Sequence, residues 1–326
     1  ASSQDEQELA EDTKATEKST KSKKTSKEKQ SQNGEKWLSW RELIMRGHAL
    51  RLHGNSEFMD SAIDTEALAS LLFTSGTMGG STGVMLSHRN LTSNLMMSAT
   101  MVEVHQGDLF FSVLPLHHTY ECTAGFLMPL YQGCTIAYCQ GLKYIAKNMR
   151  EVQPTSMLTV PAIAEMLQKT IIKNVESSVR SSIMDSGHKV NVKSQKFGFE
   201  VGKKLFKKVK VALGGRLHTF VVGGAPVNPN TLAFIRMLGI TAIQGYGMTE
   251  TSPLVTMNSD KRPRNDSAGR ILPGITAKID SPDKDGVGEL LVNGPNVMMG
   301  YYENEEDTKK AFTEDGFLRT GDLGHI

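Results

Sequence analysis

The chain has 326 residues and is 39% apolar, which is enough for one large or two modest domains with a substantial core. A formal net charge of only +2 argues against a dedicated nucleic-acid binder, so we expect no nucleic-acid partner. Three cysteines without metal-ligand spacing, and no apolar run near the roughly 18 residues of a membrane span, favour a cytoplasmic protein that is soluble or membrane-peripheral.

The first 36 residues are rich in Ser, Thr, Lys, Glu and Gln and contain almost no large apolar side chains. They cannot bury enough surface to offset the entropy of ordering, so residues 1–36 are predicted to be a disordered charged linker. Two interpretations stay open, a solvated linker and a segment that docks on a partner or an anionic surface. Order is expected to begin near Trp37 with an amphipathic helix that includes Trp40 and Leu43, followed by a second short helix near residues 64–69.

The stretch from Leu71 to Leu91 has the pattern of a buried strand end, a loop and a helix that Ser87 caps. Glycines let backbone N–H groups point at a ligand, and hydroxyls add donors, so a polyphosphate is the natural guest. A Gly-rich turn that binds nothing is the alternative. The spacing excludes a Walker P-loop, since no Gly-Lys-Ser/Thr follows. The candidate ligand-binding residues of this loop are Thr74, Ser75, Gly76, Thr77 and Gly79.

A predicted strand at residues 108–115 leads into two adjacent histidines, His117 and His118, followed by Tyr120 and Glu121. The cluster suggests a metal or acid-base role, yet neighbours on an extended segment point to opposite sides and are poorly placed to share one ion. A structural role is the alternative. Further along, a strand at residues 156–160 and a helix that Pro161 opens continue an alternation of strands and helices. This alternation predicts an α/β fold with layered, mainly parallel sheets.

The segment from Lys169 to Arg216 contains twelve basic and three acidic residues. With aromatic and aliphatic side chains interleaved, it has the composition of a surface that touches an anionic membrane or the phosphates of a ligand. A solvated helical face is the alternative. We therefore hypothesise weak peripheral membrane contact through residues 193–210.

Two strands near the middle of the chain each end in small residues. The first, at residues 218–222, is followed by Gly223, Gly224 and Ala225, and the second, at residues 240–243, continues into a longer polar segment. Ligands bind at the carboxyl ends of parallel strands in open α/β sheets. There a Tyr offers a flat face for a base, a Thr hydroxyl can contact a phosphate, and a Glu can hold Mg²⁺. A simple turn with a capping acid is the alternative. The longer segment comprises Gln244, Gly245, Tyr246, Gly247, Met248, Thr249 and Glu250.

Beyond residue 266 the pattern changes to short strands separated by Gly and Pro turns, which predicts a small β subdomain at residues 267–326. Residues 37–266 form the predicted α/β core. Near the end of the chain, Asp322 lies in the segment Thr320-Gly321-Asp322-Leu323-Gly324.

These segments together resemble the adenylate-forming enzymes, the superfamily of acyl-CoA synthetases, firefly luciferases and peptide-synthetase adenylation domains. The match covers about residues 37–326 and rests on four motifs: TSGTMG with GVMLSHRN, GYGMTE, GELLVNGPNVMMGYY and TGDLG. The flanking MLSHRN is most similar to fatty acyl-CoA synthetases. Two positions depart from the family pattern, since Met78 stands where Thr or Ser is usual and Thr82 where Lys is usual. Loss of that cation is expected to weaken ATP binding.

The resemblance assigns roles to individual residues. Tyr246 would pack on adenine, Thr249 would contact the α-phosphate, and Glu250 would hold Mg²⁺. Asp322 would accept both ribose hydroxyls, and His118 would lie by the substrate carboxylate and acyl group. Thr249, Glu250 and His118 are thus the expected catalytic residues; the nucleotide-binding set comprises the loop residues 74–77 and 79, Gly223, Gly224, Ala225, residues 244–249 and Asp322.

The resemblance also implies an activity, in which a fatty or other carboxylic acid reacts with ATP to give acyl-AMP and then with CoA to give acyl-CoA. ATP or AMP, Mg²⁺ and CoA are the expected ligands. The family's N-terminal subdomain and its C-terminal lid, with the catalytic Lys, have no counterpart in these residues, so we expect a fragment or truncated member. Two alternatives stay open, a non-catalytic nucleotide or acyl-adenylate binding module and an amino-acid-activating domain.

Overall fold

The computed structural model describes residues 38–75, 81–185, 209–211, 213–259 and 261–326. The predicted linker 1–36, the loop residues Gly76, Thr77 and Gly79, and residues 193–208 of the predicted membrane-contacting segment lie outside these ranges. The chain divides into two compact units, residues 1–63 and residues 64–326.

In the first unit, helix α1 spans Trp40–Leu52 and helix α2 spans Glu57–Asp60. The predicted helix therefore begins at Trp40, because the Ser39 hydroxyl accepts a hydrogen bond from the Glu42 N–H and caps the first turn. None of the α1 side chains is buried. The prediction of a second helix near residues 64–69 is wrong. Residues 65–67 form a turn, and residues from Leu68 onward pair in a sheet.

The second unit is a mixed α/β structure built on three sheets. Its strands are β1 Leu68–Ser75, β2 Ser81–Ser87, β3 Leu109–Ser112, β4 Thr135–Tyr138, β5 Ser156–Thr159, β6 Thr219–Val222, β7 Thr241–Gly247, β8 Leu254–Met257, β9 Arg270–Ile271, β10 Thr276–Asp280, β11 Gly288–Asn293, β12 Gly300–Tyr301 and β13 Leu318–Gly324. Its helices are α3 His88–Ala99, a π-helix Glu121–Leu127, α4 Met128–Tyr131, a 3₁₀ turn Leu142–Tyr144, α5 Ile145–Val152, α6 Pro161–Asp185, α7 Pro229–Met237, a 3₁₀ turn Thr249–Thr251 and α8 Glu305–Ala311.

The largest sheet has seven strands in the order β4-β3-β5-β6-β7-β8-β9. Strands β4 to β7 pair in parallel, and β8 and β9 extend the sheet in antiparallel fashion. Both faces are buried, since consecutive side chains point to opposite faces and Phe110 and Phe111 belong to two separate apolar clusters. This mainly parallel sheet confirms the predicted fold class.

A smaller antiparallel sheet has the order β1-β2-β12. β1 and β2 form a hairpin in which Thr74 lies opposite Thr82, and Tyr301 of β12 lies opposite Val84. The predicted passage from loop directly into helix is therefore wrong, because the seven residues of β2 intervene. Ser87 caps α3 as predicted: its hydroxyl accepts from the Asn90 N–H at 3.1 Å, and the Asn90 amide oxygen accepts from the Ser87 N–H at 2.8 Å.

The third sheet is antiparallel, with the order β10-β11-β13. It contains the three longest strands of the segment 267–326, which was predicted to form a small β subdomain. Two short strands from the same part of the chain pair elsewhere, since β9 extends the seven-stranded sheet and β12 joins the hairpin. From this sheet, β13 contributes Arg319, Thr320 and Gly321 to a cavity that the ends of β6 and β7 also line, and Asp322 follows Gly321 in the chain.

Candidate active site

A cavity of about 830 Å³ lies where the ends of β6 and β7, the hairpin β1–β2, helix α8 and strand β13 meet. Its volume is in the range typical of sites for small molecules and cofactors. The sequence segments that were predicted to bind a ligand separately thus converge on one space. The predicted residues that line it are Thr74, His118, Gly223, Gly224, Gly245, Gly247, Met248, Thr249 and Glu250.

Gly223 and Gly224 form the wall at the end of β6. A Cβ atom on Gly223 would lie 3.1 Å from the ring of Tyr120, and Gly224 has a φ of +81°, which side-chain-bearing residues rarely adopt. The Tyr120 hydroxyl donates to the Val221 carbonyl at 3.2 Å and is buried. The glycines therefore let the backbone pass close to the Tyr120 ring and leave the cavity open.

The wall at the end of β7 is held from behind by two buried asparagines that were not predicted as site residues: Asn94 lies outside the four motifs, and Asn296 lies within GELLVNGPNVMMGYY. The Asn94 amide nitrogen donates to the Leu254 carbonyl at 2.7 Å, and its amide oxygen accepts from the Leu254 N–H at 3.2 Å. The Asn296 amide donates to the Thr251 carbonyl at 2.8 Å. Because Thr251 directly follows Glu250, these bonds fix the backbone that presents the predicted phosphate and metal ligands.

Glu250 is a buried carboxylate on the cavity wall. Its Oε1 accepts a hydrogen bond from the Tyr301 hydroxyl at 3.0 Å, and its carbonyl accepts from the Met298 N–H at 2.8 Å. Burial, with Glu250 as the next cause, raises the pKa of Tyr301, which keeps the phenol protonated and donating. Tyr301 was missed at the sequence level, although its place beside Gly300 in the GYY segment was a signal.

Tyr246 and Asp322 contact each other beside the cavity: their chain neighbours Gly245, Gly247 and Gly321 line it, whereas Tyr246 and Asp322 are not among its lining residues. The Tyr246 hydroxyl donates to Asp322 Oδ2 at 2.6 Å. Burial and the Asp322 carboxylate raise the pKa of Tyr246, so the phenol remains the donor. The β13 backbone is fixed by Thr320, whose hydroxyl donates to the Leu290 carbonyl at 2.7 Å and accepts from the Asp322 N–H at 3.1 Å.

His118 lines the cavity through an exposed segment. Its Nδ1 accepts from the Tyr120 N–H at 3.2 Å, which places the proton of the neutral ring on Nε2. Burial, and then the neighbouring His117, lower the pKa of His118 and favour that neutral form. His118 thus offers one N–H donor to a ligand. Within the described ranges, no group of three or more His, Cys, Asp or Glu is placed to hold a metal ion.

Glu121, next in the chain to the cavity residue Tyr120, is almost fully buried at the start of the π-helix. Its Oε1 accepts from the Ser112 hydroxyl at 2.5 Å, while Oε2 has no hydrogen-bond partner. Burial raises the pKa of Glu121 to about 7, and the Ser112 bond opposes that shift. A Cβ atom on Gly125 would lie 2.7 Å from the Glu121 carboxyl carbon, so a side chain there would displace the carboxyl group.

The remaining predicted residues are placed differently. Gln244 donates its side-chain amide to the Ser267 carbonyl at 2.5 Å, and Ala225 is exposed beyond the β6 turn. For Ser75 only the backbone is described, within β1.

The donor set suits a nucleotide with Mg²⁺. Mg²⁺ prefers oxygen ligands and is commonly held by one or two carboxylates together with substrate phosphates. Glu250 supplies a carboxylate on the cavity wall, and Thr249 beside it supplies a hydroxyl. Lys310 and Arg319 add positive charge to the lining. Across the described residues, none of the helices combines the length and apolar character that crossing a membrane requires.

Comparison with known proteins relates the chain to one family of enzymes. The family model of the AMP-binding enzymes matches residues 1–302. The chain is 31% identical over 278 residues to the peroxisomal long chain acyl-CoA synthetase 7 of Arabidopsis thaliana, covering 79% of this chain and 39% of that protein. It is 32% identical over 308 residues to the long-chain-fatty-acid–CoA ligase ACSBG2 of Homo sapiens, covering 88% of this chain and 46% of that protein. The chain therefore spans less than half the length of these relatives.

Solved structures with the same fold include ATP-bound MatB from Rhodopseudomonas palustris, with a TM-score of 0.63 and 27% identity over 81% of this chain and 47% of that chain. A malonyl-CoA ligase in a ternary product complex with methylmalonyl-CoA and AMP bound matches with a TM-score of 0.64 and 26% identity, covering 82% of this chain and 52% of that chain.

Proposed function

The chain belongs to the AMP-binding enzyme family, and on that premise we propose that its cavity binds ATP and a carboxylic acid and supports formation of an acyl-AMP. Transfer of the acyl group to CoA is the second half of the proposed reaction. Long-chain fatty acids are the proposed acid substrates, because the long-chain acyl-CoA synthetases of A. thaliana and H. sapiens are similar over most of this chain.

The observation that carries this proposal is the arrangement of three motif segments around one cavity. Tyr246 and Asp322 are hydrogen-bonded to each other next to the lining residues Gly245, Gly247 and Gly321, which suits an adenosine with its base against the ring and its ribose at the carboxylate. Glu250 and Thr249 lie further along the same wall, and the hydroxyls of Thr74 and Thr82 face the same space. A nucleotide laid along this wall would direct its phosphates at hydroxyl donors and one carboxylate.

In the proposed first step a carboxylate oxygen of the acid attacks the α-phosphorus of ATP. The bond from that phosphorus to the bridging oxygen of pyrophosphate breaks, giving acyl-AMP. The Thr249 hydroxyl would donate to an α-phosphate oxygen, and the Nε2–H of His118 would orient the acid. Mg²⁺, held through Glu250, would neutralise phosphate charge. In the second step the CoA sulfur attacks the acyl carbonyl and AMP leaves.

A second candidate function is a non-catalytic module that binds a nucleotide or an acyl-adenylate. It is favoured by the hairpin β1–β2, whose sequence from Leu68 to Ser87 contains no Lys, Arg or His. With no cation of its own, the hairpin adds less to the binding of the polyphosphate of ATP than to the binding of AMP or acyl-AMP. Turnover separates the two, since the module would bind the adenylate but would release no pyrophosphate from ATP and fatty acid.

The proposed function is tested by calorimetric binding of a non-hydrolysable long-chain acyl-AMP analogue to the purified chain in the presence of Mg²⁺. We expect binding by the wild-type chain and loss of binding in Tyr246→Ala and Asp322→Ala. Lys284→Ala, in the turn between β10 and β11, serves as a control outside the cavity lining. A folded wild-type chain that does not bind the analogue would contradict the proposal.

A further inference from the structure

The charges on the cavity wall are unevenly distributed. Among the lining residues that the structure describes, the carboxylates are Glu250, Glu289 and Asp307, and the only permanent cations are Lys310 and Arg319. ATP brings about four negative charges and keeps about two of them when bound to Mg²⁺, so a site of this kind needs a cation near the phosphates. The hairpin β1–β2 supplies none.

Arg319 is already paired with two carboxylates, and one of them, that of Glu289, also lines the cavity. Its Nη1 lies 3.0 Å from Glu289 Oε2 and 3.3 Å from Asp280 Oδ2. Glu289 is on β11 and Asp280 is on β10 of the same sheet. Those two carboxylates raise the pKa of Arg319. Arg319 is also only three residues from Asp322, the carboxylate proposed to receive the ribose. Because Arg319 is paired with these carboxylates and lies near Asp322, we expect a different cation to bind the phosphates.

Lys310 lies on α8, which is connected through β12 to the hairpin and to Glu250. The preceding strand, β12, pairs with β2, and the Tyr302 N–H donates to the Gly83 carbonyl at 2.8 Å, next to Thr82. On the same strand, the Tyr301 hydroxyl contacts Glu250. The Thr308 hydroxyl of α8 accepts from the Tyr301 N–H at 2.8 Å, so the helix is held against both Glu250 and the hairpin.

The present partners of Lys310 are readily exchanged. Its Nζ lies 2.7 Å from Glu306 Oε1 and 3.4 Å from Asp307 Oδ1, and all three side chains are substantially exposed. Ion pairs of this kind on a helix surface contribute little to stability. Asp307 is fixed independently, because its Oδ2 accepts from the Asn304 amide at 2.8 Å. A flexible lysine with three donors can therefore leave Glu306 without disturbing the helix.

From this arrangement we propose that Lys310 binds the β- and γ-phosphates of ATP and replaces, from α8, the positive charge that Thr82 does not provide. The assignment rests on the proposed function, because it needs the nucleotide to lie along the cavity with its phosphates towards Glu250. Lys310 is a binding residue in this role, and it selects for a polyphosphate over a monophosphate.

The test is calorimetric titration of Mg-ATP and of AMP into wild-type chain, Lys310→Gln and Lys309→Gln. Lys309 is the matched control, since it is the adjacent lysine of α8, pairs with Glu305 at 3.8 Å and is not among the residues lining the cavity. We expect Lys310→Gln to weaken ATP binding about tenfold and to leave AMP binding unchanged, while Lys309→Gln behaves as wild type. Thr82→Lys in the Lys310→Gln background is expected to restore ATP affinity.

The possible outcomes distinguish a failure of the Lys310 assignment from a failure of the proposed function. If the wild-type chain binds AMP and ATP and Lys310→Gln keeps wild-type affinity for ATP, the assignment of Lys310 is wrong and the proposed function stands. If Lys310→Gln weakens AMP and ATP equally, the residue acts on the fold and the assignment is also wrong. If the folded wild-type chain binds neither nucleotide, the proposed function fails and the assignment fails with it.

Discussion

Tyr246 and Asp322 are 76 residues apart in the chain, and the Tyr246 hydroxyl donates a 2.6 Å hydrogen bond to Asp322 Oδ2. One belongs to the seven-stranded sheet and the other to the third sheet, so the bond joins two sheets that each contribute neighbouring residues to the cavity lining. It occupies one oxygen of the carboxylate that is proposed to receive the ribose. A bound nucleotide would have to share this carboxylate with the Tyr246 hydroxyl or displace it.

The ring and the hydroxyl of Tyr246 are expected to contribute differently to nucleotide binding. Stacking of an aromatic ring on a base is worth about 1–3 kcal/mol, so Tyr246→Ala should weaken AMP binding about tenfold or more. Tyr246→Phe keeps the ring and releases Asp322, and we expect its AMP affinity to stay within about threefold of wild type. Calorimetry on both variants checks this. Equal losses in the two variants would show that the ring does not stack on the base.

Glu250 is expected to make ATP binding depend on Mg²⁺. Glu250→Gln removes the charge that would attract the cation, so ATP binding in Mg²⁺ should weaken about tenfold or more, with AMP binding nearly unchanged. Addition of EDTA should abolish the difference between variant and wild type. Tyr301→Phe is the control, since it removes the hydrogen bond to Glu250 but leaves the carboxylate. A Glu250→Gln chain with wild-type Mg²⁺ dependence would contradict the metal assignment.

Glu121 is expected to make stability fall as the pH rises. Its pKa is about 7 in the folded chain against an ordinary value of 4.5, so between these pH values the folded state keeps a proton that the unfolded state releases. The free energy of unfolding should therefore decrease across this window, by at most about 3 kcal/mol. In Glu121→Gln this decrease should be absent, so the variant gains stability relative to wild type as the pH rises.

Urea unfolding of wild type and Glu121→Gln at pH 4.5, 6 and 8 measures this effect. Glu103→Gln is the matched control, because the Glu103 side chain is exposed and should follow the wild-type profile. Ser112→Ala removes the hydrogen bond that holds the Glu121 pKa down, so the upper end of the pH window should move to higher pH while the lower end stays near 4.5. Parallel pH profiles for wild type and Glu121→Gln would show that Glu121 does not titrate in this range.

Asn94 is expected to stabilise the fold as well as the site. Its side chain is completely buried, and Asn94→Ala leaves the Leu254 N–H without its amide partner. Unsatisfied buried polar groups cost 1–3 kcal/mol each, so we expect a loss of about 3 kcal/mol in the free energy of unfolding. Thr92→Ala, at an exposed position on the same helix, should change stability by less than about 1 kcal/mol. Urea denaturation compares them.

The sequence was informative where the chemistry is local. Alternating strands and helices predicted the mainly parallel sheet. The small residues at the ends of β6 and β7 pointed to Gly223, Gly224 and residues 245–250, all of which except Tyr246 line one cavity. The cap at Ser87 was predictable because both partners lie within three residues. In each case the determining interaction is made by neighbours in the chain or follows from strand direction.

Long-range interactions could not be predicted in this way. β2 exists because it pairs with β1 and with β12, and nothing in the Gly-rich pattern from Leu71 to Leu91 indicates a partner near residue 300. The amides of Asn94 and Asn296 reach backbone groups far along the chain, and the raised pKa of Glu121 depends on burial beneath the sheet. Periodicity gives no information on such contacts, since each is created by the packing of distant elements.

The pairing of β12 with β2 also constrains the order in which the molecule can be built. During synthesis, the hairpin would emerge more than 200 residues before Gly300 and Tyr301, the strand that covers its edge. Until then β2 presents an open row of backbone donors and acceptors, the kind of surface on which chains aggregate. The edge of β2 therefore stays open until Gly300 and Tyr301 have been synthesised, and we expect chains that stop before these residues to aggregate more readily than chains that include them.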